Sequence, residues 1–508
     1  MTIQHACRCA LRSAALTLAA VLTAAAAVGS GTAVSQAASR EPARAGQVPA
    51  PVLKLRASQQ SMTIFRFGKR GVFLDPGVFV ESLGARLEFR VQRASYTTPI
   101  QISQILFGPA GTEVRPLPAN VLDGWFGLRH FFRLSIKNKA GKVVRSKQFT
   151  FCPNAFGPQR VRPSGPASTP FPQQCASDPF QKGMVWGVQK NWAVDPFDAG
   201  FGFGFGAAPS PVFRLPVGTY HVTMTVTPQY RQLFGVSGQD ATAKVTVHVK
   251  RCCHASRRAQ AVRHPLAADP AAPTLRNPPV SALPDLVPLP SWGIRTSHVK
   301  KQKRDLLDFG ATVWVGGHSR LDVQGFKVGN TLTMKAYQYF WRNGKLIGRT
   351  RAGTMGFDNQ KGHHHWHFEQ FAAYRLLSAS KKLVLRSHKQ GFCIAPTDPV
   401  NLLLHGAVWQ PSEIGLEGEC GFPGALWVRE MMPEGWGDTY FQSVAGQSFD
   451  ITHLRNGTYY VEVIANPEKV LHETSTGNDI SLRKVILGGT PGHRTVRVPA
   501  FHGIDPEK

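Results

Sequence analysis

From about Pro51 to Lys250 the chain alternates short β-branched and aromatic runs with Gly, Pro and Asn turns, as at Leu87–Val91 and Tyr220–Val226. No long stretch repeats its apolar residues at helical spacing, so the pattern predicts a β-sandwich or a pair of small β units. Strand signals return from Leu283 to about Leu487, at Ala311–Val315, Thr331–Phe340 and Gly457–Ile464, with a turn at Asn343-Gly344. Between the two regions, Arg251 to Val280 is rich in Ala, Pro and Arg, a composition that cannot bury enough apolar surface to fold alone. The expected fold is therefore mainly β. It comprises an N-terminal β-sandwich-like domain (50–250), a linker (251–282), a second β-rich domain (283–490) and a tail (491–508). Val217–Val222 (VGTYHV) and Asn456–Val461 (NGTYYV) echo each other, each placing a Gly turn before a strand. Ala199–Ala207 (AGFGFGFGA) is low in complexity and reads as a loop without a function.

The beginning of the chain changes the setting. Arg8 and Arg12 precede an apolar run from Ser13 to Val28, and small residues at Ser35–Ala38 offer a cleavage site, so residues 1–38 read as an export signal. No later segment has the unbroken apolar length that a bilayer crossing needs, so the mature protein is expected to be secreted or held at the cell surface. Six of the eight cysteines lie beyond the signal, in a compartment where disulfides persist. Local pairing of Cys152 with Cys175 and of Cys393 with Cys420 is expected; Cys252 and Cys253 are left unassigned.

The formal net charge of +28 points to an anionic partner. Export and the lack of a recognisable nucleic-acid module argue against nucleic acid and favour an anionic cell-wall polymer. Residues 281–490 hold 23 Lys and Arg against 18 Asp and Glu, so the excess lies mainly outside them. Ahead of Tyr440 the sign reverses: Glu413, Glu417, Glu419, Glu430, Glu434 and Asp438 are opposed only by Arg429. Such a stretch forms either an acidic rim that steers a cationic substrate or a solvated loop.

The strongest chemical signal is Gly362–Phe368, GHHHWHF. In an extended strand, side chains two apart share a face about 7 Å from one another, so His363, His365 and His367 form one row while His364 and Trp366 face away. Imidazole rows suit copper, zinc, iron or nickel; the bland reading is a surface tract that collects metal adventitiously.

The order of motifs around this row resembles the lysyl oxidase family. Pro284–Pro288 (PDLVP) looks like the entry to that family's catalytic domain, and His363, His365 and His367 look like its copper-binding segment. Ser387–Cys393 (SHKQGFC) is similar to the stretch around its cofactor lysine, pointing to Lys389. Gly435–Tyr440 (GWGDTY) followed by Phe449–Thr452 (FDIT) resembles the segment of the partner tyrosine, pointing to Tyr440. Gly457–Pro467 and Glu473–Asp479 match its closing strand and acidic turn. The likeness spans about two hundred residues and nothing before the linker. Fewer cysteines, and Ser475 where the family has an acid, are departures.

The resemblance implies a copper enzyme with a lysyl tyrosylquinone made from Lys389 and Tyr440. Such an enzyme uses oxygen to convert a primary amine or a protein lysine to an aldehyde, ammonia and hydrogen peroxide. Asp438 is the candidate base, against a plain role as an Asx-turn residue, and His388 is a weaker candidate. Asp285, Glu473, Asn478 and Asp479 would hold calcium and clip the ends of the domain together, the alternative being a polar turn. The rival reading from a different class is a surface protein that sequesters copper without turnover. A zinc hydrolase lacks a recognisable HExxH base.

Overall fold

The computed structural model describes residues 48–66, 71–154, 157–197, 212–251, 272–329, 331–359, 365–387, 389, 391–411, 420–421 and 424–507. The export signal, Cys252 and Cys253, the Gly-Phe loop, His363, His364, His388 and Glu413, Glu417 and Glu419 lie outside them.

The fold is mainly β, as its alternating runs require. Leu87–Gln92 and Gly218–Val226 are strands, Arg304–Val315 contains the run from Ala311, and Thr333–Arg342 turns through Asn343-Gly344 into Lys345–Asp358. Both turn residues have positive φ (50° and 74°), which Asn and Gly tolerate best. The sequence echo has a structural cause. Gly218 and Gly457 open their strands at φ 156° and 147°, and the tyrosine two residues on donates back to a carbonyl four residues upstream. Tyr220 Oη reaches Pro216 O (2.9 Å) and Tyr459 Oη reaches Arg455 O (2.8 Å), the tyrosine corner of β-sandwich domains.

Among the described residues, every sheet draws its strands from one side of residues 252–271 only. On the N-terminal side a five-stranded sheet runs Ser61–Arg66, Thr242–Arg251, Gly218–Val226, Leu128–Asn138, Val143–Phe151, beside two four-stranded sheets and a two-stranded one. On the C-terminal side Arg304–Val315 is the spine of a six-stranded sheet, and two five-stranded sheets flank it. His493–Arg497 extends the last of these, so residues expected as a tail complete a sheet. Leu275 pairs with Arg349 at the other end, where the linker sequence joins the fold. One apolar cluster runs through both halves, from Phe89 and Trp186 to Phe309 and Trp366. Among the described residues no helix is long and apolar enough to cross a membrane.

Candidate active site

Three segments that are distant in sequence meet above the six-stranded sheet. The first is the histidine strand His365–Phe368, paired with Lys345–Asp358 so that His365 faces Asp358 and His367 faces Gly356. Its alternation places the two imidazoles together, ring centroids 4.7 Å apart, while Trp366 is fully buried with Phe357 on the other side. Asp358 Oδ2 lies 3.7 Å from His367 Nδ1.

The second segment carries Lys389. A two-hydrogen-bond bridge between Phe368 and Phe392 fastens it to the histidine strand. That approach needs glycine at 391, where a Cβ would come within 2.6 Å of His367 Cβ. Lys389 is buried, and its Nζ lies 4.2 Å from the centroid of the Tyr440 ring. Burial pulls this ammonium down to about 8, against the opposing pull of Asp438 and Asp358.

The third segment is the tyrosine strand Trp436–Tyr440, paired with the spine so that Val313 faces Asp438 and Ala311 faces Tyr440. Period two puts Asp438 and Tyr440 on one face and Thr439 on the other. The Tyr440 phenol is gripped by one residue: Cys393 N–H donates to Oη (3.0 Å) and Oη donates to Cys393 O (3.3 Å). Cys393 is disulfide-bonded to Cys420, whose carbonyl accepts the Trp366 N–H (2.9 Å). One covalent bridge thus joins the residue that holds the phenol to the strand that carries the histidines. The other expected disulfide, Cys152–Cys175, is also formed.

The site is strongly desolvated. Burial raises the Asp438 carboxyl well above the carboxylate range, against Lys389, the Tyr440 phenol and Thr397, which favour its charge. Glu430, on Trp427–Met432, is raised by burial and by Asp438; its Oε2 accepts Ile394 N–H and its Oε1 has no partner. These two acids were expected in a solvent-facing rim, but they are 3% and 1% exposed because they occupy inward positions of paired strands. Arg429 instead pairs with buried Asp322. Glu430 and the Cys393 backbone were missed as site groups, since only tertiary pairing reveals them.

The proposed calcium residues are also brought together. Asn478 Nδ2 donates to Asp285 Oδ2 (2.8 Å), and Leu286 N–H donates to Glu473 Oε2 (3.1 Å). Oδ1 of Asp285, Asn478 and Asp479 is buried without a hydrogen-bond partner. Burial, then Asp479 and Asp285, holds Glu473 up at about 7. Among the described residues, however, no three His, Cys, Asp or Glu side chains are grouped closely enough to cage an ion.

Part of the chain is similar to curated lysyl oxidase homologs. It is 28% identical over 139 residues to "Lysyl oxidase homolog 2" of Rattus norvegicus, covering 27% of this chain and 16% of that protein. It is 29% identical over 137 residues to "Lysyl oxidase homolog 3A" of Danio rerio, with the same shares covered. The chain has a distant lysyl oxidase-like relationship. It spans about a sixth of the length of these relatives. No protein-family model matches. A solved adhesion-protein tandem repeat superposes only at a TM-score of 0.11 with 8% identity, covering 87% of this chain and 100% of that one, which supports no argument.

Proposed function

We propose that the chain is an exported, copper-dependent amine oxidase acting on primary amines or peptidyl-lysine. The amine, oxygen and water would become an aldehyde, ammonia and hydrogen peroxide. The observation that carries this reading is the buried Lys389 Nζ standing 4.2 Å from the centre of the Tyr440 ring. The placement makes a cation–π contact, and it also brings the amine next to the ring that it would join. Two imidazoles that a copper ion accepts, His365 and His367, share one face with Asp358 beside His367; the third ligand expected from the sequence, His363, lies outside the described residues, and the described side chains alone do not cage an ion.

Copper and oxygen would supply oxidation of the Tyr440 ring to a quinone, to which Lys389 adds, giving a carrier of two electrons. The residues of the chain supply position and proton control. Desolvation makes the neutral, nucleophilic amine of Lys389 accessible near neutral pH. Cys393 fixes the phenol oxygen, and the edge of Phe392, 5.2 Å from the Tyr440 ring, limits its swing. Asp438, on the same strand face as Tyr440, is the proposed base that takes the proton from the carbon next to the amine nitrogen.

Calcium is the proposed ligand of Asp285, Glu473, Asn478 and Asp479; it would satisfy their orphaned oxygens once the side chains close around it, and tie the start of the domain to its last turn. An anionic cell-wall polymer is the proposed partner of the N-terminal half. The five strands of its largest sheet contain no Asp or Glu, and their alternation puts Arg133, Lys137, His221, Lys244 and Lys250 on the solvent side. The experiment that tests the central reading is copper loading under oxygen followed by phenylhydrazine. A coloured adduct is expected, and copper uptake without one would leave copper sequestration as the function.

A further inference from the structure

The loop Gln174–Lys182 of the N-terminal half docks on residues 397–402 of the other half through buried polar contacts. Asp398 is the centre. Its Oδ1 accepts Ser177 N–H (3.1 Å) and Gln181 Nε2–H (3.1 Å), and its Oδ2 accepts Ser177 Oγ–H (2.7 Å) and Asp178 N–H (3.0 Å). Gln174 Nε2 donates to Thr397 O (2.6 Å), and Lys182 and Gly183 N–H both reach Val400 O. Phe180 packs with Leu289, Trp314 and Val400. Asp178 and Asp398 are 0% and 1% exposed, so the contact is as dry as a domain core.

This dock leads into the site. Asp398 and Pro399 pair with Gly437 and Trp436 of the tyrosine strand. Thr439 Oγ is 2.7 Å from Thr312 Oγ, which donates to Asp178 Oδ2 (2.7 Å), and Thr439 also reaches Asp398 Oδ2 (3.4 Å). Thr397 Oγ accepts Thr439 N–H (2.7 Å), and its hydroxyl is near enough to the Asp438 carboxyl to favour its charge. The strand that aims Asp438 and Tyr440 toward Lys389 on one face is therefore held on its other face by the N-terminal half.

We infer that the N-terminal half is a structural part of the active site, and that Asp398 is the positioning residue through which it sets the register and orientation of Asp438. A buried carboxylate that accepts five hydrogen bonds, four of them from the N-terminal half, tolerates little displacement, because each lost donor leaves buried charge less compensated. Any loosening at residues 177–181 is passed to the tyrosine strand two hydrogen bonds away. The inference takes the amine-oxidase reading as its setting.

The test uses the full chain with Ser177→Ala and Gln181→Met combined, and Ser177→Thr as the conservative control. Two quantities are measured: kcat and KM for a small primary amine per phenylhydrazine-titratable quinone, and amide hydrogen exchange along the chain. In the double variant, kcat is expected to fall about tenfold with KM unchanged. Exchange at 436–440 should rise while 365–368 stays protected, and Ser177→Thr should match the unaltered protein. Unchanged exchange at 436–440 overturns the inference whether or not the protein turns over an amine. Raised exchange with unchanged kcat confines the dock to stability and also overturns it. Absence of quinone in the unaltered protein counts against the amine-oxidase reading alone, and exchange then decides the positioning.

Discussion

Removing the Cys393–Cys420 bridge separates stability from cofactor assembly. The bond closes a loop of sequence separation 27, so Cys393→Ala with Cys420→Ala releases about 3.5 kcal/mol of loop-closure entropy to the unfolded chain. Because the two halves share a core, roughly 400 residues unfold together, and that is a drop in Tm of about 4 °C. The local effect is distinct. Cys393 still offers its N–H and C=O to Tyr440, but no longer from a fixed position, and losing the equivalent of one hydrogen bond, about 1 kcal/mol, slows quinone formation roughly fivefold. The histidine strand keeps its pairing with Lys345–Asp358, so copper binding should persist. The assay is calorimetry with metal analysis, alongside the time course of phenylhydrazine-reactive quinone after copper and oxygen are added. A lowered Tm with quinone forming at the unaltered rate would refute the claim that the bridged Cys393 positions Tyr440.

Other perturbations test the remaining elements. His365→Ala and His367→Ala should each remove most stoichiometric copper, whereas His364→Ala, which the alternation of the sequence assigns to the opposite face, should retain it; metal analysis that finds all three alike would contradict the strand reading. Because Lys389 is pulled down to about 8, cross-link formation should accelerate as pH rises through 8 and level off above about 9. Asp438 opposes that shift, so Asp438→Asn should move the profile to lower pH, and a rate still climbing at pH 10 would mean an ordinary lysine. Calcium should raise Tm more at pH 8 than at pH 5.5, because Glu473, held at about 7, is ionised mainly at the higher pH; equal shifts at the two pH values, or a shift that Asp285→Asn leaves unchanged, would remove the calcium assignment.

Much of the fold was legible because strands bounded by Gly, Pro and Asn announce themselves locally: Leu87–Gln92 and Gly457–Ala465 lie almost where their residues place them. The site was legible where its chemistry is linear. Asp438 and Tyr440 are two apart on a strand, as are His365 and His367, and period two is enough to put each pair on one face. What was not legible depends on pairing between distant segments. Nothing near Glu430 announces that it faces Asp438, and nothing near Ser177 announces Asp398, 221 residues away. The Ala-Pro-Arg composition of the linker suggested two separable units, but composition carries no information about an interface whose contacts are made by buried polar groups on either side of it.

The central claim is that Lys389 and Tyr440 become one cofactor, and its most direct test is the mass of the peptides that contain them. After copper loading and oxygen exposure, proteolysis should yield a single cross-linked species joining the Lys389 peptide to the Tyr440 peptide, absent from protein kept copper-free. Recovery of both peptides separate and unmodified from copper-loaded, oxygen-exposed protein would contradict it.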